Sequence, residues 1–389
     1  MKEFWAGIKK WKYDLLIVGL YSFTITFMIM NFKHLVDIKI HNFILIDYLD
    51  AGSFPIPPGY YGLIYLVDLV ARFRHPFVLS SILVLTLFLW WKYRIVFNFF
   101  KTQIDLTNTK LFLLSISVIF LGPIYLPGID EGLWYLGKFT PTIWHNSTTI
   151  AVFPFSILLC FQTLQWSEDQ SPNRIYKIIA MGLVLLLIKP SFLFCFVPAL
   201  PVYIFIKERR FSPMLWKSIL IMLIFIALIL LEKHLIFTWD PIREKLYDPD
   251  EISQIIISPF KIWLHYSHQP ILDLLSSIPL LICFLLLWRK TAFEDSMFTF
   301  TFILLMFSFI VYFLFSETGF RQYHANFYWQ IPIALFLNYM SILSIILKDY
   351  RSQSNLFTFN TKFLVAVYLL QVVFGFAYWV RIFAFETLI

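Results

Sequence analysis

The sequence predicts an all-α, polytopic membrane protein, with about 11 transmembrane helices in one integral-membrane domain over residues 1–389. Three observations carry that prediction. Apolar residues make up 59% of the chain and aromatic residues 20%, against 14% charged, and mean hydropathy is +0.74; this is far from the balance of a soluble domain. The apolar residues come in long runs, most of them close to the roughly 20 that a helix needs to cross hydrocarbon. The cations gather at the ends of those runs, as the positive-inside rule requires. The formal charge of +7 therefore reads as topology. No basic stripe or RNA-binding motif accompanies it, so a lipid bilayer is the expected partner and nucleic acid is not.

The first run, 14–31, follows Lys9, Lys10 and Lys12 and lacks a small-x-small cleavage site after it, so it reads as a retained signal anchor. Residues 59–71 (GYYGLIYLVDLVA) are too short to span and carry Asp68 within the run. They suit a helix lying at the interface, which makes 32–76 an extended outer loop with juxtamembrane helices. Spans are then predicted at 77–93, 109–127, 148–166, 176–188, 190–206, 215–237, 271–288, 297–315, 330–347 and 363–380. The connections rich in Lys92, Arg94, Lys101 and Lys110, in Arg174 and Lys177, in Lys207, Arg209 and Arg210, in Arg289 and Lys290, and in Lys348 and Arg351 fall in the cytoplasm together with the amino terminus. Outer loops follow at 128–147, 238–270 and 316–329. Only Lys189-Pro190 separates two spans, which predicts a broken or tightly turned hairpin there. Cys160, Cys195 and Cys283 lie inside apolar runs without metal-ligand spacing, and predict neither a disulfide framework nor a zinc site.

With this threading the distinctive polar residues fall on one face. Asp37 and His41 are four apart and share a helix face. A carboxylate just beyond the first span is placed to act as general base on an acceptor hydroxyl, although it can equally cap a surface helix. Trp144-His145-Asn146 opens the span at 148, where helix-end N–H groups present donors to an anion or a sugar hydroxyl. The plainer account is an interfacial Trp followed by a helix cap. Lys189 sits between two apolar runs, where an ammonium either snorkels outward or pairs with an anion such as a phosphate. Segment 316–329 packs Glu317, Arg321, His324 and Asn326 among Phe320, Tyr323, Phe327, Tyr328 and Trp329. Arg suits forked phosphate recognition and aromatic faces suit sugar rings, whereas an aromatic belt with a solvated Glu–Arg pair is the conservative account. Loop 238–270 adds Trp239-Asp240-Pro241, an acidic stretch from Asp248 to Glu251, then His265 and His268, and reads as a lid over the site. Two histidines do not make a metal site, so no metal or other cofactor is expected. No Walker or Rossmann glycine motif is present, which argues against direct use of a nucleotide.

The order of one span, an outer loop with an early Asp, the Phe54-Pro-Ile-Pro-Pro58 run, the Tyr60-Tyr61-x-x-x-Tyr65 helix and a span ending in basic residues resembles the amino-terminal module of the GT-C glycosyltransferases. The likeness covers residues 1–110 as architecture, with 111–389 as the remaining bundle. It implies an enzyme that uses a polyprenyl-phosphate sugar donor and a glycan, lipid or protein acceptor, with Asp37 as catalytic base. Arg321 and Lys189 would then hold the phosphate, and His41, Tyr60, Tyr61, Trp144, His145, Asn146, Glu317, His324 and Asn326 would shape the sugar pocket. The implied site is extracytoplasmic, in a bacterial plasma membrane. Tyr135-Leu-Gly137 through Pro141 and Trp144-His145-Asn146-Ser147-Thr148 also resemble a YLG-x-x-x-P-x-x-WHN-x-T pattern of bacterial membrane proteins, which names no substrate. The rival expectations are a transporter or flippase of lipid-linked saccharides, with internal repeats and mid-membrane charges, and a non-catalytic assembly subunit with small-residue packing motifs.

Overall fold

The computed structural model describes residues 2–32, 36–72, 77–130, 136–240, 242, 254–353 and 356–385. Of the described residues 79% are helical, and the only sheet among them is one pair of three-residue strands. It is an all-α integral membrane protein. Among the described residues eight helices are long and apolar enough to cross a membrane: α1 (Lys2–Asn31), α4 (Val78–Gln103), α6 (Ser147–Asp169), α8 (Ser191–Glu208), α9 (Pro213–His234), α13 (Ser296–Leu314), α14 (Gln330–Ser352) and α15 (Phe359–Phe385). α11 (Pro270–Ser277) and α12 (Pro279–Ala292) meet at 68° and make a ninth if the bent pair is taken as one span.

The expected count of eleven is not reproduced, and the shortfall has local causes. α7 (Pro172–Ile188) has 17 residues and falls just below the length of its neighbours. α5 (Asn108–Ile119) starts at a Thr107 cap and stops after 12 residues, roughly 18 Å of rise against about 30 Å of hydrocarbon. Pro123 disfavours helix in the residue before it and supplies no N–H of its own. The chain from Phe120 onward is irregular, and irregular backbone at membrane depth survives only where protein satisfies it. Here it does: Gly122 N–H donates to Gln371 O (3.2 Å), Gln371 Nε2 returns a bond to Gly122 O (3.1 Å), Ile124 N–H donates to Ser276 O (2.8 Å) and Thr142 Oγ1 donates to Ile119 O (2.9 Å). The approach to α15 is backbone to backbone, since a Cβ on Gly122 would lie 2.7 Å from Gly375 Cα.

Two short helices form in the segments between α1 and α4. α2 (Asp37–Asp50) and α3 (Gly59–Ala71) flank the Pro-rich run, and α3 packs on α4 and α7. A Cβ at Gly59 would lie 2.6 Å from Leu187 O, so glycine lets α3 rest directly on the end of α7. Beyond α9 the chain winds through a π turn, Leu235–Trp239, and then through a segment outside the described residues. β1 (Ile255–Ile257) pairs antiparallel with β2 (Phe315–Glu317), with α10 (Lys261–Tyr266) following β1. α14 lies at the centre: 89% of its apolar window is buried, against 28% for α9 and α15 at the periphery.

Candidate functional site

Asp37 is the first residue of α2, and its carboxylate turns toward the start of α6. Oδ2 accepts the Ser147 N–H (2.9 Å) and the Ser147 hydroxyl (3.0 Å), and His41 Nε2 lies 3.4 Å away. Oδ1 has a single long contact among the described residues, from Asn146 Nδ2 at 3.4 Å. Asp37 thus caps a helix other than its own, where the free N–H groups and the helix dipole favour negative charge. Asn146 is the residue that caps α6 from within, accepting from Thr149 N–H (3.0 Å) and Thr149 Oγ1 (2.6 Å).

Lys189 follows α7 in extended backbone, which aims its side chain across the bundle. Its ammonium donates to Asn146 Oδ1 (2.8 Å) and Thr149 Oγ1 (3.0 Å) and sits 4.8 Å from the Trp329 ring centroid. It therefore does not snorkel outward. The His145 ring meets Trp329 edge-on, with centroids 5.8 Å apart. His41 Nδ1 lies 2.6 Å from Tyr61 Oη. Tyr60 is buried behind this layer, its hydroxyl 3.4 Å from Ser81 Oγ, which in turn donates to Asn42.

Burial pushes the Asp37 carboxyl up, but the neighbouring His41 and Lys189 and the Ser147 N–H outweigh it and hold the group below the usual carboxylate range. Burial lowers Lys189 to about 8 against the pull of Asp37, so it remains cationic at neutral pH. Burial also lowers His41, with Asp37 opposing and Lys189 assisting. His145 is brought to about 4 by burial, with Asp37 opposing and Lys189 assisting. At neutral pH the group holds one carboxylate, one ammonium, neutral imidazoles and a positive helix end. The balance is electropositive, and Asp37 keeps 26% of its side-chain surface exposed.

The second polar segment forms a group of its own. Glu317 Oε2 accepts from Asn326 Nδ2 (2.5 Å) at the end of β2, and the Arg321 guanidinium lies 5.2 Å from the Phe237 ring centroid, against the π turn. Burial raises the Glu317 carboxyl, with Asn326 and Arg321 opposing. His324 is exposed. The two groups touch through Trp329, the last residue of the segment, and Phe327 packs on Phe194 of α8. Lys189 and Arg321, expected to share one phosphate, thus stand in separate groups.

Trp144 is 2% exposed and packs against Tyr21, Phe120 and Trp379 in the apolar core. The lid loop is described only in part: Asp240 accepts the Tyr48 hydroxyl and the His265 ring lies 4.0 Å from that of Tyr323, while Pro241 and the acidic stretch Asp248 to Glu251 lie outside the described residues.

The sequence reading did not single out Thr149, or Ser147 and Trp329 as direct partners of Asp37 and Lys189. It also missed the burial of Lys138. Lys138 donates to Asp130 Oδ2 (2.5 Å), Ile124 O (2.8 Å) and Ser276 Oγ (2.9 Å), with Asp273 Oδ1 at 3.9 Å. No family model matches the chain, and no curated protein or solved structure matches it either.

Proposed function

We propose that the chain is an integral-membrane glycosyltransferase of GT-C type. It would move a sugar from a polyprenyl-phosphate carrier to a hydroxyl of a glycan, lipid or protein acceptor, at the extracytoplasmic face of a bacterial plasma membrane, with the amino terminus in the cytoplasm. One observation carries the reading: a carboxylate and an ammonium meet across the single side chain of Asn146 at a helix amino terminus. Glycosyl transfer from a lipid phosphate asks for these two things. The acceptor O–H gives its proton to Asp37 as its oxygen bonds to the sugar carbon, and the bond from that carbon to the phosphate oxygen breaks with its electrons going to phosphate. Lys189 and the α6 terminus stabilise the charge that gathers on the leaving phosphate.

The depressed proton affinity of Asp37 fits a base that acts late, when the acceptor oxygen is already bonding and has become acidic. His41, Tyr61, His145, Asn146 and Trp329 surround this centre, and Glu317, Arg321, His324 and Asn326 are assigned to the sugar or acceptor side. A carrier that only moves a lipid phosphate has use for Lys189 but none for a carboxylate beside it, which favours the enzyme over the flippase.

The test is release of polyprenyl phosphate from a panel of polyprenyl-phosphate hexoses by the purified protein with acceptor glycans present. Release that depends on Asp37 supports the assignment. Movement of intact donor across proteoliposomes without cleavage would replace it with the transporter reading.

A further inference from the structure

His41 has no evident reason to be held so firmly if its role is only to touch a sugar. Its two ring nitrogens are both engaged: Nδ1 lies 2.6 Å from Tyr61 Oη and Nε2 lies 3.4 Å from Asp37 Oδ2. A neutral imidazole carries one proton, and which nitrogen holds it is set by the partners. A phenol keeps its proton to about pH 10 and so donates to the nitrogen it faces. A bare nitrogen turned toward a carboxylate would oppose two lone pairs. Both contacts therefore select the same form.

We infer that Tyr61 and Asp37 fix His41 with Nδ1 bare and Nε2 protonated, and that His41 thereby ties down Asp37 Oδ2 and leaves Oδ1 for the incoming hydroxyl. Tyr61 and His41 are positioning residues, and this role for the incoming hydroxyl rests on the glycosyltransferase reading. The carboxylate geometry supports the division of labour. Oδ2 already receives the Ser147 N–H and the Ser147 hydroxyl, with His41 Nε2 3.4 Å away, whereas Oδ1 has only the long 3.4 Å hydrogen bond from Asn146 among the described residues. A carboxylate has about four lone-pair positions, so the open ones lie on Oδ1.

The charged and titratable groups facing His41 are Asp37 on its own helix, Tyr60 and Tyr61 from α3, and Lys189 from the α7–α8 junction, with His145 beyond Asp37. Burial and Lys189 lower the proton affinity of the ring and Asp37 restores it only in part, which keeps the ring singly protonated at neutral pH.

Nitrogen-15 spectra of the full chain, labelled at histidine and purified in lipid nanodiscs, test this directly, because protonated and bare ring nitrogens resonate far apart. The chain has eight histidines, so the His41 signals are assigned by difference against His41→Gln. The expected wild-type spectrum at pH 7 shows protonated Nε2 and a hydrogen-bonded, bare Nδ1. Tyr61→Phe should move the Nδ1 resonance as that bond is lost, and should lower kcat roughly tenfold, with little change in KM for the polyprenyl-phosphate sugar. A wild-type ring protonated at Nδ1, or at both nitrogens, overturns the inference without need of the variant, and so does an Nδ1 signal that Tyr61→Phe leaves in place. If no donor is turned over by wild type, the glycosyltransferase reading fails while the spectra still decide the tautomer.

Discussion

Two lysines, Lys138 and Lys189, bring an ammonium into the protein at the ends of its helices, and their surroundings differ in kind. Lys138 is 2% exposed and meets two carboxylates, a carbonyl and a hydroxyl, so its charge is cancelled and its donors are used. Lys189 is half-buried and meets an amide oxygen, a hydroxyl and an indole face, and among the described residues no carboxylate lies within 4 Å of it. The first arrangement is closed and pins the loop after α5 to α11. The second keeps positive charge in reserve beside a carboxylate that water can reach. A cation in direct contact with its counter-charges serves the fold; one that meets its carboxylate only across Asn146 is poised for an anion from outside.

The contrast breaks most visibly at Lys138. Lys138→Met leaves Asp130 and Asp273 buried without their cation and should cost about 3–5 kcal/mol of stability, read as a large fall in melting temperature. Lys189→Met should melt close to wild type; the opposite ranking would dissolve the distinction between the two sites. Asp37→Asn comes next. It preserves shape but removes the base, so transfer should fall by roughly a hundredfold or more while donor binding survives. Near-normal turnover would exclude Asp37 and direct attention to Glu317.

Lys189→Ala should weaken binding of a polyprenyl-phosphate sugar by about tenfold, the scale of one charge-assisted hydrogen bond, with Arg321→Ala weakening it less. Equal losses would mean that both cations reach one phosphate. The smallest effect is a pH dependence. Burial, with Lys189 assisting against Asp37, brings His145 to about 4, below its ordinary value of about 6.5. The folded chain therefore binds fewer protons than the unfolded one between those values, so the contribution is fully present above pH 6.5 and is lost as pH falls toward 4. His145→Asn should flatten the melting temperature across that window, and an unchanged slope would place the titration elsewhere.

Much of the architecture was legible because it depends on local signals. The Pro-rich run and the mostly apolar thirteen-residue segment after it place α2 and α3, and the Lys189-Pro190 break marks the turn between α7 and α8. α5 misled the reading because hydropathy continues smoothly from Ile119 through Leu121 and Ile124, while what ends the helix is Pro123 and the contact of Gly122 with Gly375. Asp37, His41, Tyr61, Asn146 and Lys189 were singled out by residue type and position, and the fold gathers them. Their pairing was not legible, since Asp37 and Ser147 stand 110 residues apart. Asp130, Lys138 and Asp273 were not legible as a group because nothing local announces that loop and helix will close over them.

The truncated α5 bears on how the chain is made. A segment of 12 helical residues followed by bare backbone is a poor candidate for independent insertion, and Gln371, which answers the carbonyl of Gly122, emerges from the ribosome 249 residues later. Until then that carbonyl has to be satisfied by water or by temporary partners. α15 would thus close a seam left open since early in synthesis, and release of a chain lacking α15 should leave the α5 region within reach of proteases and of the quality-control machinery of the membrane.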